Sequence, residues 1–259
     1  MPSPMRQTPA SRFSETASAY AATMVPSLRP VAAEVVRRAA LRPNERVLDL
    51  GTGTGIAAAA ARGDGRTVVG IDAAAGMLAL AREQVDGVEF REMDFGALGY
   101  DDGTFDVVVA VHSLLFASDD RAVLREWLRV TTPGGRLSLS VPGPNEYTPS
   151  AIYRDIYERY GIDPSGRYPT AEELVARAAA AGWRDAVAEY DHTTAIVLPD
   201  EEAFRTWRGI GSRGAATAEL SPEQHRVLTD EMAAVTPRDA DGRFRIPFGA
   251  IYLTARSPA

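Results

Sequence analysis

Neither cysteine nor lysine occurs among the 259 residues, so all 28 basic side chains are arginines. The absence of cysteine excludes disulfides, thiolate nucleophiles and cysteine-ligated metal sites. The absence of lysine excludes a Schiff-base lysine, a pyridoxal-phosphate lysine and the lysine of a P-loop. Histidine is scarce as well. The 3 histidines are scattered without an HExxH-like pattern, so we expect no metal site.

Long apolar runs and a basic charge excess are also missing. No segment is apolar for the length of a membrane span or a signal-peptide core, so we expect a cytoplasmic protein without a membrane partner. The formal net charge of −7 argues against a nucleic-acid partner, because duplex binding depends on basic side chains that neutralise phosphates. With 45% hydrophobic residues, the chain can build one sizeable α/β core, as a monomer or a homodimer.

Short apolar segments alternate with helical ones through the first half of the chain. The predicted strands there are Arg46 to Leu50, Thr67 to Ile71, Val88 to Met93, Phe105 to Val111 and Leu137 to Val141. This alternation predicts an α/β fold with a doubly wound, Rossmann-like parallel sheet and right-handed crossovers. Beyond Pro142 the pattern is looser, and helices separate two later strand candidates, Ala186 to Leu198 and Phe244 to Ala255.

The predicted elements divide the chain into two parts. Residues 1–40 carry two helical stretches, which we expect to form an N-terminal helical lid. Residues 41–259 are expected to form the α/β domain, with insertions at about 142–170 and 199–240 that add a helical cap. Ligands of open α/β sheets bind at the carboxyl edge of the strands, and the cap is expected to cover that edge.

The most informative segment is VLDLGTGTG, from Val47 to Gly55, where an apolar strand enters a glycine turn before a helix. Glycines let the backbone approach a ligand, and the helix amino terminus offers unpaired N–H groups. A dinucleotide site has G-x-G-x-x-G spacing, whereas this turn has G-x-G-x-G, with Ile56 at the third dinucleotide position. The carboxylate of Asp49 would repel a pyrophosphate but attract the ammonium group of S-adenosylmethionine (SAM). The turn therefore favours SAM, and a βα turn without a ligand is the alternative.

Acidic residues also follow the next two predicted strands. Asp72 follows Gly51 by about 20 residues, the spacing at which an acid at a strand tip accepts both ribose hydroxyls of NAD or SAM. Alone, Asp72 would equally suit a helix N-cap. Asp94 could accept from an adenine amino group while Phe95 covers the ring, or the pair could be a turn aspartate and a core phenylalanine. Met77 could cover the other adenine face or be plain core.

Five consecutive segments together resemble the UbiE/Coq5-like (methyltransferase type 11) branch of the class I SAM-dependent methyltransferases. They are VLDLGTGTG at 47–55, VVGIDAAAGML at 68–78, FREMDFGAL at 90–98, DGTFDVVVAVHSLLF at 102–116 and LREWLRVTTPGGRLSLSVP at 124–142. The resemblance covers roughly residues 13–142, and the order and spacing of the segments make it specific. The TTPGG turn departs from the usual LxPGG, and WRGIGSRG at 207–214 is a weaker match to small-molecule members.

The resemblance implies a seven-stranded, mostly parallel sheet with an antiparallel last strand, SAM as cofactor and S-adenosylhomocysteine (SAH) as product. It assigns the glycine turn to the methionine part and gives the acids at the strand tips the roles described above. It also implies that Tyr20 covers the cofactor and that the backbone at Val111 and His112 borders its methionine end. The predicted cofactor-binding residues are Tyr20, Asp49, Gly51, Thr52, Gly53, Gly55, Asp72, Ala73, Met77, Asp94, Phe95, Val111 and His112.

The expected activity is transfer of a methyl group to O, N or C of a small-molecule metabolite, such as a natural-product intermediate. Alignment of the acceptor atom with the methyl group of SAM supplies much of the rate acceleration. Only acceptors that must lose a proton therefore need a base. His112, just beyond the VVVAV strand, is the candidate base or acceptor-placing group, and a supporting, hydrogen-bonded histidine is the alternative. Arg208 and Arg213 could hold an acidic substrate or lie in solvent, and Tyr147 could line an acceptor pocket.

Two other functions stay open. A SAM-fold protein can bind the cofactor without methyl transfer, as a cyclase or a binding module, because a fold does not fix a function. An NAD(P)-dependent oxidoreductase is less favoured, since the glycine spacing and Asp49 count against it.

Overall fold

The computed structural model describes residues 8–143, 149–162, 168–210, 217 and 219–259. Three helices precede the first strand: α1 (Pro9–Glu15), α2 (Ala17–Thr23) and α3 (Val25–Arg38). The sequence predicted two helical stretches here, and the structure has three because the chain leaves regular helix at Thr16 and again at Met24. A proline lies in the first turn of α3, where its missing N–H would have no partner within the helix anyway.

Strands and helices then alternate as predicted. The elements are β1 (Arg46–Leu50), α4 (Ile56–Ala61), β2 (Thr67–Asp72), α5 (Ala75–Gln84), β3 (Glu89–Glu92), β4 (Phe105–Val111), α6 (Asp120–Val130) and β5 (Thr131–Pro142). The remaining elements are α7 (Pro149–Ile152), α8 (Arg154–Arg159), α9 (Ala171–Ala181), β6 (Arg184–Asp191), β7 (Ala195–Leu198), α10 (Glu201–Arg208), α11 (Pro222–Val235), β8 (Phe244–Pro247) and β9 (Ala250–Arg256). No helix in the described part of the chain is both long and apolar enough to cross a membrane.

Seven strands form the main sheet, in the order β3-β2-β1-β4-β5-β9-β6. β1 pairs in parallel with β2 and β4, and β4 pairs in parallel with β5. The last strand of the chain, β9, runs antiparallel to both of its neighbours, β5 and β6. The predicted Rossmann-like sheet with an antiparallel last strand is therefore confirmed.

The two later strand predictions each merged two strands, and both were wrong on this point. The predicted strand from Ala186 to Leu198 contains β6 of the main sheet and β7 of a second, two-stranded sheet. The predicted strand from Phe244 to Ala255 contains β8 of the two-stranded sheet and β9 of the main sheet. Pro247 ends β8, because proline cannot continue a hydrogen-bonded ladder. At Gly249 a Cβ would lie 2.2 Å from the Tyr190 hydroxyl oxygen, so glycine lets the chain pass between the two sheets.

Apolar strand residues build a core on each face of the main sheet. Side chains alternate along a strand, so neighbours such as Val47 and Leu48 enter opposite cores, as do Val107 and Val108. All four of these side chains are fully buried. A continuous run of apolar residues is therefore the expected pattern for a sheet covered on both faces.

The three N-terminal helices occupy two different places. α3 packs on the sheet face, where the Ser138 hydroxyl donates to the Val35 carbonyl at 2.7 Å. α1 lies against α5, and the approach is close: a Cβ at Gly76 would lie 2.4 Å from the Ser14 carbonyl oxygen. α2 packs against α3 and α10. The division of the chain into a lid at 1–40 and a domain at 41–259 stays a prediction.

Trp127→Ala should lower the free energy of unfolding by about 3–5 kcal/mol, because truncation of a buried aromatic removes its packing and leaves a cavity. The Trp127 side chain on α6 is 0% exposed, and its indole N–H donates to the Phe95 carbonyl at 2.9 Å. Urea unfolding followed by circular dichroism measures the change. Val235→Ala is the control, since that side chain is 52% exposed; its loss should stay near 0.5 kcal/mol or below. Similar losses in the two variants would contradict the packing.

Candidate functional site

A cavity of about 240 Å³ opens where β1, β2 and β4 end side by side. Ten of the predicted cofactor residues line it: Tyr20, Gly51, Gly53, Asp72, Ala73, Met77, Asp94, Phe95, Val111 and His112. The other three predicted residues, Asp49, Thr52 and Gly55, do not line it. The cavity thus gathers side chains and backbone from the tips of four strands and from the N-terminal helices.

The glycine turn forms one wall of the cavity. Gly51, Gly53 and Gly55 all have positive φ, at 66°, 55° and 81°. A Cβ at Gly51 would lie 2.4 Å from the Ser113 Cβ, so this glycine lets the turn approach the end of β4. A Cβ at Gly53 would meet no atom within 4 Å, and Gly53 lines the cavity. A side chain at Gly53 would therefore project into the space of a ligand.

Asp49 supports this turn from behind. Its carboxylate Oδ2 accepts from the Thr52 hydroxyl at 2.6 Å and from the Ala58 backbone N–H at 2.9 Å. The side chain is 1% exposed, and burial raises its pKa to about 6. These bonds tie the turn to the first residues of α4. The predicted contact between Asp49 and an ammonium group stays a prediction, since the structure directs Oδ2 towards the turn.

Asp72 joins the tip of β2 to the glycine turn. Its Oδ2 accepts from the Gly53 N–H and its Oδ1 accepts from the Ala74 N–H, both at 2.8 Å. Burial raises the pKa of Asp72. Each carboxylate oxygen has a second lone pair, and Asp72 lines the cavity, so the group can still accept from a ligand hydroxyl. Asp72 is not the N-cap of α5, because that position is Ala74, and the ligand interpretation of Asp72 stays a prediction.

The third strand and α5 supply the other predicted residues. Asp94 is exposed, lines the cavity and accepts from the Gly96 N–H at 2.8 Å. Phe95 meets Trp127 edge-on, with 6.1 Å between ring centroids. Met77 is 3% exposed and lies in a small apolar cluster with Ala17 and Ala74. This end of the cavity therefore combines an exposed carboxylate with apolar side chains.

His112 and Ser113 supply two buried polar atoms that have no hydrogen-bond partner in the described part of the chain, His112 Nε2 and Ser113 Oγ. Both residues line the cavity, and both are less than 10% exposed. His112 has a φ of 51°, which is unusual outside glycine, and its Nδ1 lies 3.2 Å from the Ser140 hydroxyl oxygen. Burial lowers the pKa of His112 to about 4, so the imidazole is neutral at pH 7. Because both residues line the cavity, these two atoms are available to a ligand bound there.

Aromatic side chains cover the cavity, and sequence reasoning found only Tyr20 among them. Phe13 meets Tyr20 and Phe116 edge-on, with centroid distances of 5.8 and 5.2 Å. We call Phe13, Tyr20 and Phe116 the aromatic cover. Phe116 is 38% exposed, and the available signal in the sequence was an aromatic residue shortly after the VVVAV strand.

Of the three predicted substrate residues, the structure describes Arg208. Tyr147 and Arg213 fall outside the described residues. Arg208 is buried at the end of α10 and does not line the cavity. The described residues contain no cluster of three or more histidine, aspartate or glutamate side chains that could hold a metal ion.

Comparisons with known proteins agree with this geometry. The family described as "Methyltransferase domain" matches residues 48–139. A demethylmenaquinone methyltransferase of Clavibacter sepedonicus is 33% identical over 197 residues, which span 74% of this chain and 71% of that protein. The chain belongs to the class I SAM-dependent methyltransferases.

Two further relatives extend the comparison of this methyltransferase. A trans-aconitate 2-methyltransferase of Methylobacterium nodulans is 29% identical over 245 residues, 87% of this chain and 92% of that protein. A phosphoethanolamine N-methyltransferase 2 of Haemonchus contortus, solved in complex with S-adenosyl-L-methionine, shares the fold with a TM-score of 0.58 and 18% identity. That alignment covers 98% of this chain and 58% of the other. SAM is the cofactor of the family, and the cavity at the strand tips is where the predicted cofactor residues meet.

Gly53→Ala should weaken SAH binding to the methyltransferase by about ten-fold or more, which corresponds to about 1.4 kcal/mol. The added methyl group would occupy the cavity. Gly87→Ala is the matched control, because Gly87 also has a positive φ, 73°, with nothing within 4 Å, but lies outside the cavity. Both variants should lose similar stability, and only Gly53→Ala should lose affinity in titration calorimetry. Equal SAH affinity in the two variants would contradict the placement of the turn.

Proposed function

We propose that this methyltransferase transfers the methyl group of SAM to O, N or C of a small-molecule metabolite and releases SAH. The observation that carries the proposal is the pair of unpartnered buried atoms, His112 Nε2 and Ser113 Oγ, beside the glycine turn in the cavity. The net charge of −7 supports a small-molecule acceptor over a nucleic acid.

The residues of the cavity suit the parts of SAM. In this proposal, the second lone pairs of the Asp72 carboxylate accept from the ribose hydroxyls. Asp94, which is exposed, accepts from the adenine amino group, while Met77 and Phe95 give the ring apolar neighbours. The negative charge of Asp49 lies behind the turn and favours the positively charged methionine end through its field rather than by contact.

The turn and the aromatic cover would complete the cofactor site. Gly51, Thr52, Gly53 and Gly55 shape a backbone wall for the methionine part, and Thr52 does so through its bond to Asp49. Ala73 and Val111 contribute cavity wall at the tips of β2 and β4. Tyr20 would close the cofactor off from solvent, together with Phe13 and Phe116.

His112 is the proposed group that orients the acceptor. SAM supplies an electrophilic methyl group on a sulfonium. With the proton on Nδ1, the buried His112 Nε2 can accept a hydrogen bond from an acceptor hydroxyl or amine. The same atom can take the proton that the acceptor loses as the new bond to carbon forms and the sulfur–carbon bond breaks. A carboxylate or an already electron-rich carbon would need only the orientation.

The experiment that tests the function measures SAH formation by mass spectrometry with SAM and a panel of acceptors. The names of the relatives suggest a demethylated naphthoquinol and trans-aconitate as two members of the panel. Formation of SAH together with a methylated product supports the proposal. Tight SAM binding with no SAH from any acceptor would instead favour a cyclase or binding module. Binding of NADH in place of SAM would overturn both interpretations.

His112→Asn should reduce turnover of a hydroxyl acceptor by about 10²–10⁴-fold, the usual contribution of a positioned proton acceptor, while SAH affinity stays unchanged. Asparagine is chosen because it tolerates the positive φ at this position. His192→Asn, on an exposed histidine outside the cavity, is the control and should keep wild-type turnover. Unchanged turnover in His112→Asn would remove His112 from the mechanism.

The pH dependence of turnover should follow the depressed pKa of His112. Burial lowers this pKa to about 4 from the model-peptide value of 6.5. The neutral, accepting form is therefore present above about pH 4 and is lost as the pH falls through that value. We therefore expect that turnover of a hydroxyl acceptor, measured against pH at saturating SAM, does not fall as the pH drops through 6.5. A fall centred near 6.5 that disappears in His112→Asn would contradict the burial of the ring.

A further inference from the structure

Arg208 is the most deeply buried cation in the described part of the chain. It ends α10 and is 4% exposed. Its Nη1 donates to the Tyr157 hydroxyl oxygen at 2.8 Å, whereas its Nε–H is buried and has no partner. Arg208 forms no ion pair with any carboxylate of the described residues. A guanidinium keeps its charge in proteins, so this side chain brings an uncompensated positive charge into the fold.

A partly buried arginine, Arg136, shows how a structural ion pair is formed in the same protein. The Arg136 side chain is 11% exposed, and its Nη2 donates to both carboxylate oxygens of Glu45, at 2.7 and 2.6 Å. Its Nε–H donates to the Ala39 carbonyl at 2.9 Å. Arg136 is thus compensated in charge and in hydrogen bonds. Burial of a guanidinium without such a partner is strongly unfavourable, so the state of Arg208 calls for an external anion.

Tyr157 adds a second donor beside Arg208. Its side chain on α8 is 5% exposed, and the Arg208 Cζ lies 5.6 Å from the centre of its ring. The tyrosine oxygen accepts from Nη1, so its own proton remains free to be donated to another group. One positive charge, one Nε–H and one O–H therefore lie together without an acceptor. A ligand that matches this charge and these two donors is an oxyanion with a single negative charge.

The position of Arg208 connects it to the cavity through apolar layers. α10 packs against α2, which carries Tyr20 of the aromatic cover. Phe204 and Trp207 of α10 share an apolar cluster with Phe248, and the Phe248 ring meets the His112 ring edge-on at 5.1 Å. The helix that ends at Arg208 therefore carries aromatic side chains of the same apolar cluster as the ring that contacts His112.

We propose that Arg208 and Tyr157 bind the carboxylate of the methyl acceptor, which is then a small organic acid with an apolar body. This inference rests on the proposed function. A carboxylate fits better than a phosphate, because a single cation matches a single negative charge and a guanidinium presents a planar fork to two oxygens. Arg208 does not line the cavity at His112, so the carboxylate is a recognition group and the methylated atom is another one.

The test uses the SAH-saturated full-length protein and its melting temperature. Sodium benzoate is the probe, benzamide is its neutral counterpart, and inorganic phosphate tests the other anion, all at constant ionic strength. Benzoate should raise the melting temperature by a few degrees, and benzamide should not. No shift with benzoate, or a larger shift with phosphate that depends on Arg208, would overturn the carboxylate assignment.

Arg208→Met, which keeps the length but removes the charge, should abolish the benzoate shift. Without benzoate, its melting temperature should equal or exceed that of the wild type, because an uncompensated buried charge has been removed. Arg205→Met is the matched control on the same helix, since Arg205 is 54% exposed and ion-paired with Glu201; it should keep the shift. Tyr157→Phe should reduce the shift in part.

Two outcomes would refute the role of Arg208. One is an equal benzoate shift in Arg208→Met and in the wild type. The other is a marked loss of melting temperature in Arg208→Met without benzoate, which would make the arginine structural. SAH affinity is measured in every variant. If the wild type fails to bind SAH, the proposed function fails, whereas intact SAH binding with an Arg208-independent shift refutes only the carboxylate site.

Discussion

The fold of the site depends on one bond between two strand tips, the hydrogen bond from the Gly53 N–H to the Asp72 carboxylate. The glycine turn has positive φ at three positions, and such a turn needs fixed partners to hold one conformation. Asp72 fixes it from the cavity side, and Asp49 fixes it from behind through Thr52 and Ala58. Because Asp49 lies in β1 and Asp72 ends the neighbouring β2, the register of the two strands places both acids around the turn.

The sequence predicted the parts of the site that depend on contiguous residues. The strand–turn–helix segment and the acids after β2 and β3 are local patterns, and the structure brings ten of the thirteen predicted cofactor residues to one cavity. The direction of Asp49 could not be predicted, because it depends on the donors of Thr52 and Ala58. The division of the late strands between two sheets also escaped prediction, since it depends on Tyr190 approaching Gly249 across the fold. Long-range packing decides the division of the strands, whereas the direction of Asp49 is set by the local conformation of the turn.

Three buried polar groups, Asp49, His112 and Arg208, affect stability in different ways. Burial raises the pKa of Asp49 to about 6, so its contribution to stability falls as the pH rises towards that value. Burial lowers the pKa of His112 to about 4, so its contribution falls as the pH drops from 6.5 towards 4. The two effects oppose each other between about pH 4 and 6. Arg208 differs from both, because a guanidinium cannot relieve its burial by losing its proton.

The cofactor end of the site and the proposed acceptor end therefore come from different parts of the chain. The cofactor end comes mainly from residues 49–113, where neighbouring strands and turns place each group. The proposed acceptor end combines Tyr157 of α8 with Arg208 of α10, which are far apart in the sequence and are joined by a hydrogen bond in the fold. A substitution at this end can change the acceptor without disturbing the glycine turn. The names of two relatives differ in this respect, since one names demethylmenaquinone and the other trans-aconitate.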